Sequence, residues 1–132
     1  MKRGLIILLL SLLSFSLGAQ AQQRKGKMRC YDVEQFAKQI KRAGVIVVDV
    51  RTQKECNEGH ITEAEINLDV LKSNFLYHAH RELPRNRTIA LYCKGGVRSK
   101  RAATKLAQCG YNVFDLDKGY DSWVEKKMPV SK

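Results

Sequence analysis

The chain has 132 residues, 28% of them charged, with 24 Lys and Arg against 13 Asp and Glu for a formal net charge of +11. That length makes one domain with a real core and excludes two, and no apolar run approaches the roughly 20 residues that span a bilayer. The basic surplus attracts anions, yet no zinc-finger spacing or basic-aromatic stacking pattern is present, so nucleic acid is not an expected partner.

In chain order, Lys2 and Arg3 give a positive start, Leu5 to Leu17 is apolar, and Ala19-Gln20-Ala21 is a small-x-small ending. This pattern predicts a secretory signal over 1–21, cleaved after Ala21, and hence a periplasmic or secreted protein with no membrane anchor after cleavage. Loss of Lys2 and Arg3 lowers the net charge from +11 to +9. Residues 22–28 are polar and basic and read as a flexible lead-in. The domain is expected over 29–132.

Within it, helix and strand signals alternate. Asp32 with Gln35 opens an amphipathic helix carrying Val33, Phe36, Ala37 and Ile40 on one face, stopped by Gly44. Val45 to Val50 is a β-branched run of the kind covered on both faces. Thr52 and Glu55 form a capping box, which predicts a short helix to about Glu58, closed by Gly59. Ile66 to Val70 reads as a strand, and Ser73 to Leu83 as a helix ended by Pro84. Thr88 to Tyr92 reads as a second doubly covered strand, 98–109 as a helix closed by Gly110, 112–116 as a strand, and 119–126 as a last helix carrying Trp123. Such alternation implies an α/β fold, a parallel sheet with helices on both faces, whose sites collect at the carboxyl ends of its strands.

Four cysteines are present: Cys30, Cys56, Cys93 and Cys109. Export and an even count favour two disulfides; the setting of Cys93 argues otherwise. It directly follows a strand and precedes "KGGVRSK", where Gly95 and Gly96 allow a turn that aims backbone N–H groups into one concavity, with the next helix adding its positive end. Such a cradle favours a thiolate over a thiol, and an accessible thiolate is a nucleophile. Lys94, Arg98 and Lys100 add positive charge at the rim. The loop lacks the spacing of a nucleotide P-loop. A tyrosine-phosphatase loop has five residues between Cys and Arg, whereas only Lys94, Gly95, Gly96 and Val97 intervene here, which makes a cradle for a sulfur atom rather than a phosphoryl group. Metal sites are not expected, since neither C-x-x-C nor H-x-x-x-H occurs, and His78 and His80 should diverge on their helix.

Taken together, "VVDVRT" with Asp49 and Arg51, "EGHI" with His60, "YCKGGVRS", "AATKLAQCGY" and "LDKGYDSW" resemble the rhodanese family of sulfurtransferases across nearly the whole domain. "GHITEAEIN" is one residue longer than the usual His-to-Asn spacing, and Cys56 stands where the family usually has an aromatic. The resemblance implies a five-stranded parallel sheet between helices, with Cys93 carrying sulfur and Lys94, Gly95, Gly96, Val97, Arg98 and Ser99 enclosing it. The implied activity moves a sulfane sulfur from thiosulfate or a similar small anionic donor to a thiol or cyanide through a Cys93 persulfide, without a cofactor. Lys94 and Arg98 are the candidates for holding the donor's sulfonate. Asp49, Arg51 and His60 are expected to be scaffold rather than chemistry, and Trp123 core or a wall beside the loop. A monomer is expected. A non-enzymatic persulfide carrier or binding module is the alternative, and a phosphatase or arsenate reductase is disfavoured by loop length. With Cys93 kept for sulfur, at most one disulfide can form within the chain.

Overall fold

The computed structural model describes residues 24–132; the leader expected over 1–21 and the first part of the lead-in lie outside them. In chain order the elements are β1 (Met28–Tyr31), α1 (Val33–Gln39), β2 (Val45–Asp49), α2 (Gln53–Glu58), β3 (His60–Ile61), β4 (Ala64–Asn67), α3 (Phe75–Glu82), β5 (Thr88–Tyr92), α4 (Val97–Gln108), β6 (Val113–Leu116), α5 (Gly119–Glu125) and β7 (Val130–Ser131). Five strands form one parallel sheet in the order β1-β6-β5-β2-β4, the α/β architecture the sequence pattern implies.

Successive residues of a strand point to opposite faces, and the core divides accordingly. Ile46 and Val48 of β2, Ile89 and Leu91 of β5, and Val113 of β6 join one cluster with Phe75 and Ala79 of α3 and Ala102, Ala103 and Leu106 of α4. Their neighbours Val47, Ala90, Tyr92, Phe114 and Leu116 join the other, with Val33 and Phe36 of α1 and Trp123 of α5. Trp123 is core, meeting Phe36 edge to face with ring centroids 6.1 Å apart.

Local capping chemistry sets two helix starts where it was read. Asp32 Oδ1 accepts from the Gln35 N–H at 2.8 Å. At α2, Thr52 Oγ1 accepts from the Glu55 N–H at 3.2 Å, and Glu55 Oε2 accepts from the Thr52 N–H at 3.0 Å.

Several elements differ from the sequence reading. The lead-in expected over 22–28 ends early: the Gly26 N–H donates to Ala107 O at 2.8 Å, and Met28 already pairs with Val113 in the sheet. β1 escapes the pattern because, at the sheet edge, Met28, Arg29 and Cys30 are exposed and show no apolar alternation. The strand expected over Ile66–Val70 sits earlier, at Ala64–Asn67. Leu68 and Val70 are still buried, but in a turn whose N–H groups donate to Asp49 O and Val50 O at 2.9 and 3.2 Å. An apolar alternation reports burial, and here a non-strand backbone supplies it. The two-residue strands β3 and β7 pair antiparallel and are too short for any periodicity.

Candidate active site

Cys93 follows β5 at its carboxyl end and is 1% exposed. The Gly96 N–H donates to Cys93 Sγ at 3.0 Å, and the thiol reaches Ser99 Oγ at 3.6 Å. Ser99 Oγ has one proton to offer and two acceptors in reach besides the sulfur: Asp115 Oδ2 at 3.0 Å and Gly96 O at 3.2 Å. Gly96 is the N-cap of α4, so the sulfur sits at the positive end of a 12-residue helix. The turn requires glycine there: φ is +104°, and a Cβ would run into Asp117 O. Of the other loop members, Lys94, Gly95 and Val97 are exposed.

α5 holds the loop from behind. The Tyr120 and Asp121 N–H groups donate to Cys93 O and Lys94 O at 2.8 and 3.0 Å. These bonds satisfy two carbonyls that the sharp turn takes away from the sheet.

The two cations expected to hold a donor are each engaged by a carboxylate. Arg98 Nη1 and Nη2 donate to Glu55 Oε2 and Oε1, both at 2.8 Å, a fork-to-fork pair. Lys94 Nζ donates to both oxygens of Asp121 at 2.9 and 2.8 Å, in the open. Lys100 Nζ lies 3.4 Å from Asp115 Oδ2 and 3.0 Å from Asp117 Oδ1. The Arg98 guanidinium, aided by Thr52, holds Glu55 at about 2 against the opposing effect of partial burial, and Glu55 in turn raises Arg98.

Asp49, Arg51 and His60 lie beside the loop in a bonded frame. Asp49 is buried and accepts from Arg51 N, Nε and Nη2 and from the Tyr92 hydroxyl. Arg51 Nη2 also donates to Gly59 O at 2.7 Å, and its guanidinium lies 4.2 Å from the Tyr120 ring centroid. Burial opposes the Arg51 charge, but the Asp49 hydrogen bonds outweigh it and the guanidinium is held more firmly protonated. Burial, then the Asp49 charge, push the Tyr92 phenol well up. His60 Nδ1 lies 2.8 Å from Ile61 O in β3. Asn67 Nδ2 closes the frame with bonds to Asp49 O and Arg51 O at 3.0 and 2.9 Å.

Cys30, Cys56 and Cys93 are free thiols. Partial burial, then the Asp115 carboxylate, push the Cys30 thiol up to about 12; burial, then Asp49, push Cys56 up to about 11. Neither is poised to ionise at neutral pH. His78 and His80 diverge, towards Asn74 and Arg85 respectively.

A cavity of about 210 Å³ opens beside the loop, lined by Arg51, Glu55, Glu58, Lys94, Tyr120 and Asp121. Sequence reasoning missed Glu55, Tyr92, Asp115 and Asp121 as neighbours of the loop. Glu55 was legible as a capping residue, but nothing in linear spacing links position 55 to 98 or 121 to 94. The arrangement can keep negative charge on one ordered sulfur through an amide donor and a helix terminus.

The rhodanese-like domain family matches residues 32–126. A sulfurtransferase of Allochromatium vinosum is 32% identical over 87 residues, which cover 65% of this chain and 78% of that protein. Thiosulfate sulfurtransferase 18 of Arabidopsis thaliana is 33% identical over 111 residues, covering 76% of this chain and 81% of that protein. The crystal structure of a rhodanese-related protein from Thermoplasma volcanium superposes with a TM-score of 0.68 at 32% identity, over 78% of this chain and 97% of that one.

Proposed function

The chain belongs to the rhodanese-like domain family, and from that premise we propose that it is a sulfurtransferase in which Cys93 takes up a sulfane sulfur from a small donor and passes it to a thiol or cyanide. In the first step the Cys93 thiolate attacks the outer sulfur of the donor. A new S–S bond forms, the donor's own bond to that sulfur breaks, and the leaving group keeps the electron pair: sulfite from thiosulfate, a thiolate from a persulfide. In the second step an acceptor nucleophile attacks the outer sulfur of the Cys93 persulfide, and the Cys93 thiolate leaves. The cycle is ping-pong.

The observation that carries this reading is the Gly96 N–H at 3.0 Å from Cys93 Sγ, with the α4 terminus behind it. Negative charge on Sγ is what makes it a nucleophile in the first step and a leaving group in the second, and the same donor serves both. Ser99, 3.6 Å from the sulfur, can turn its proton towards it once the thiol proton has gone. Within the loop Lys94 to Ser99 the groups at the sulfur are the Gly96 N–H and the Ser99 hydroxyl, and Asp49, Arg51 and His60 hold the neighbouring strand ends. The basic start and apolar run of residues 2–17 support placing the activity outside the cytosol.

Incubation with thiosulfate or an alkyl persulfide, followed by intact mass measurement, is expected to add one sulfur atom to the protein and none to Cys93→Ser. An unchanged mass of the unsubstituted protein with both donors would overturn the proposal.

A further inference from the structure

In the cavity beside the sulfur loop the charge balance is the reverse of the chain's. The sequence as a whole carries +11, yet the cavity beside the loop presents the carboxylates of Glu55, Glu58 and Asp121 against the cations Arg51 and Lys94. Those two cations are themselves engaged, by Asp49 and Asp121. Lys100 lies on Asp115 and Asp117, and Arg98 lies on Glu55. A dianion approaching the loop from this side meets cations that each already have their own carboxylate.

Thiosulfate brings two negative charges and leaves as sulfite, also a dianion. Its transition state is therefore favoured by donors on the sulfonate oxygens, and the guanidinium of Arg98, five residues after Cys93 in the same loop, would offer two of them as a fork. We propose that Glu55 is a specificity-determining residue: by holding both arms of the Arg98 guanidinium it disfavours thiosulfate and leaves the site selective for a persulfide borne on a carbon chain. This rests on the sulfurtransferase reading above and narrows its donor. With such a donor, R–S–SH, the Cys93 thiolate bonds to the outer sulfur, the inner S–S bond breaks, the proton stays with the transferred sulfur, and R–S⁻ departs. Atoms and charge balance without an added oxidant or reductant. The leaving group carries a single charge at its sulfur and makes no demand on a bidentate cation.

The Glu55–Arg98 pair is tight enough for this role. Its side chains are 27% and 20% exposed, both arms are at 2.8 Å, and Glu55 remains ionised far below neutral pH. The Lys94–Asp121 pair, 61% and 58% exposed, is screened by solvent and holds its cation loosely.

The test compares kcat/KM for thiosulfate and for cysteine persulfide in the unsubstituted protein, in Glu55→Gln and in the double variant with Arg98→Gln. Gln at position 55 can still complete the α2 capping box, so the helix is kept while the charge is removed. The unsubstituted protein is expected to prefer the persulfide. Glu55→Gln should raise the ratio of thiosulfate to persulfide kcat/KM by about tenfold, mainly through a lower KM for thiosulfate, and the double variant should lose that gain. A higher kcat/KM for thiosulfate than for persulfide in the unsubstituted protein would overturn the proposal without recourse to any variant. So would an unaltered thiosulfate KM in folded Glu55→Gln, or a gain that survives removal of Arg98. Each of these outcomes leaves sulfur uptake by Cys93 standing, whereas absence of uptake from both donors sinks the sulfurtransferase reading itself.

Discussion

The Tyr92 hydroxyl does two things at once: it donates to Asp49 Oδ2 at 2.8 Å and accepts from the Ile61 N–H at 3.1 Å. It thereby ties β3 and the end of β5 to the Asp49–Arg51 pair, all of it out of water. Phenylalanine at 92 would keep the ring and its packing but leave the Ile61 N–H without its acceptor and Asp49 short of one donor. An unsatisfied buried polar group costs about 1–3 kcal/mol, so Tyr92→Phe is expected to lower stability by that amount, read as a reduced urea midpoint at unchanged slope. An unchanged midpoint would mean that water supplies the missing bonds. Asp49 and Arg51 were legible as a strand-end pair two residues apart. Their partners Tyr92 and Gly59 O were not, because those come from other strands and turns.

At the scale of elements, α5 and the sulfur loop are built to touch. Gly119 has φ +65°, and a Cβ there would lie 2.6 Å from Cys93 O and closer still to Lys94 O. Gly119→Ala therefore must push α5 off the loop and disturb the Tyr120 N–H bond to Cys93 O. The expected outcome is a loss of about 1–3 kcal/mol from overpacking and strain, together with slower sulfur uptake than at the exposed control position Lys118. Thermal unfolding and single-turnover mass measurements check the two halves separately; a variant matching the unsubstituted protein in both would show that the loop does not depend on this approach. The contrast with α2 is instructive. Its start was readable because Thr52 and Glu55 cap within three residues of each other, whereas β1, β3 and β7 exist only through pairing with Val113 to Leu116 or with one another, and pairing leaves no local trace in an exposed or two-residue strand.

Across the whole molecule the electrostatics predict acid lability. Glu55 lies at about 2 in the folded protein against an ordinary 4.5. Below its ordinary value the unfolded chain binds a proton that the folded one refuses, so stability rises with pH through this window. The contribution is complete above about 4.5 and is lost as the pH falls towards about 2. Protonation of the 13 acidic residues at the same time leaves 24 Lys and Arg unbalanced, and self-repulsion adds to the loss. Tm measured from neutral pH down through this window is expected to fall steeply, and less steeply in Glu55→Gln, which has no such carboxylate to protonate. Equal slopes in the two proteins would show that the Glu55–Arg98 pair contributes nothing to the linkage.

What the amino-acid order determined by itself was everything that physics makes local. The apolar runs 45–50 and 88–92 made buried parallel strands, capping residues set the starts of α1 and α2, and of the two glycines after Cys93 it is Gly96, at φ +104°, that permits the turn and puts its own amide on the sulfur, whereas Gly95 has open space where a Cβ would stand. What only the tertiary structure decided was the company those residues keep. Glu55 meets Arg98, Asp121 meets Lys94 and Tyr92 meets Asp49 across 43, 27 and 43 residues of chain, and the charge beside the sulfur loop follows from those meetings. Hydrogen bonds and ion pairs act over a few ångströms of space, and separation along the chain carries no record of which charges the fold will bring together.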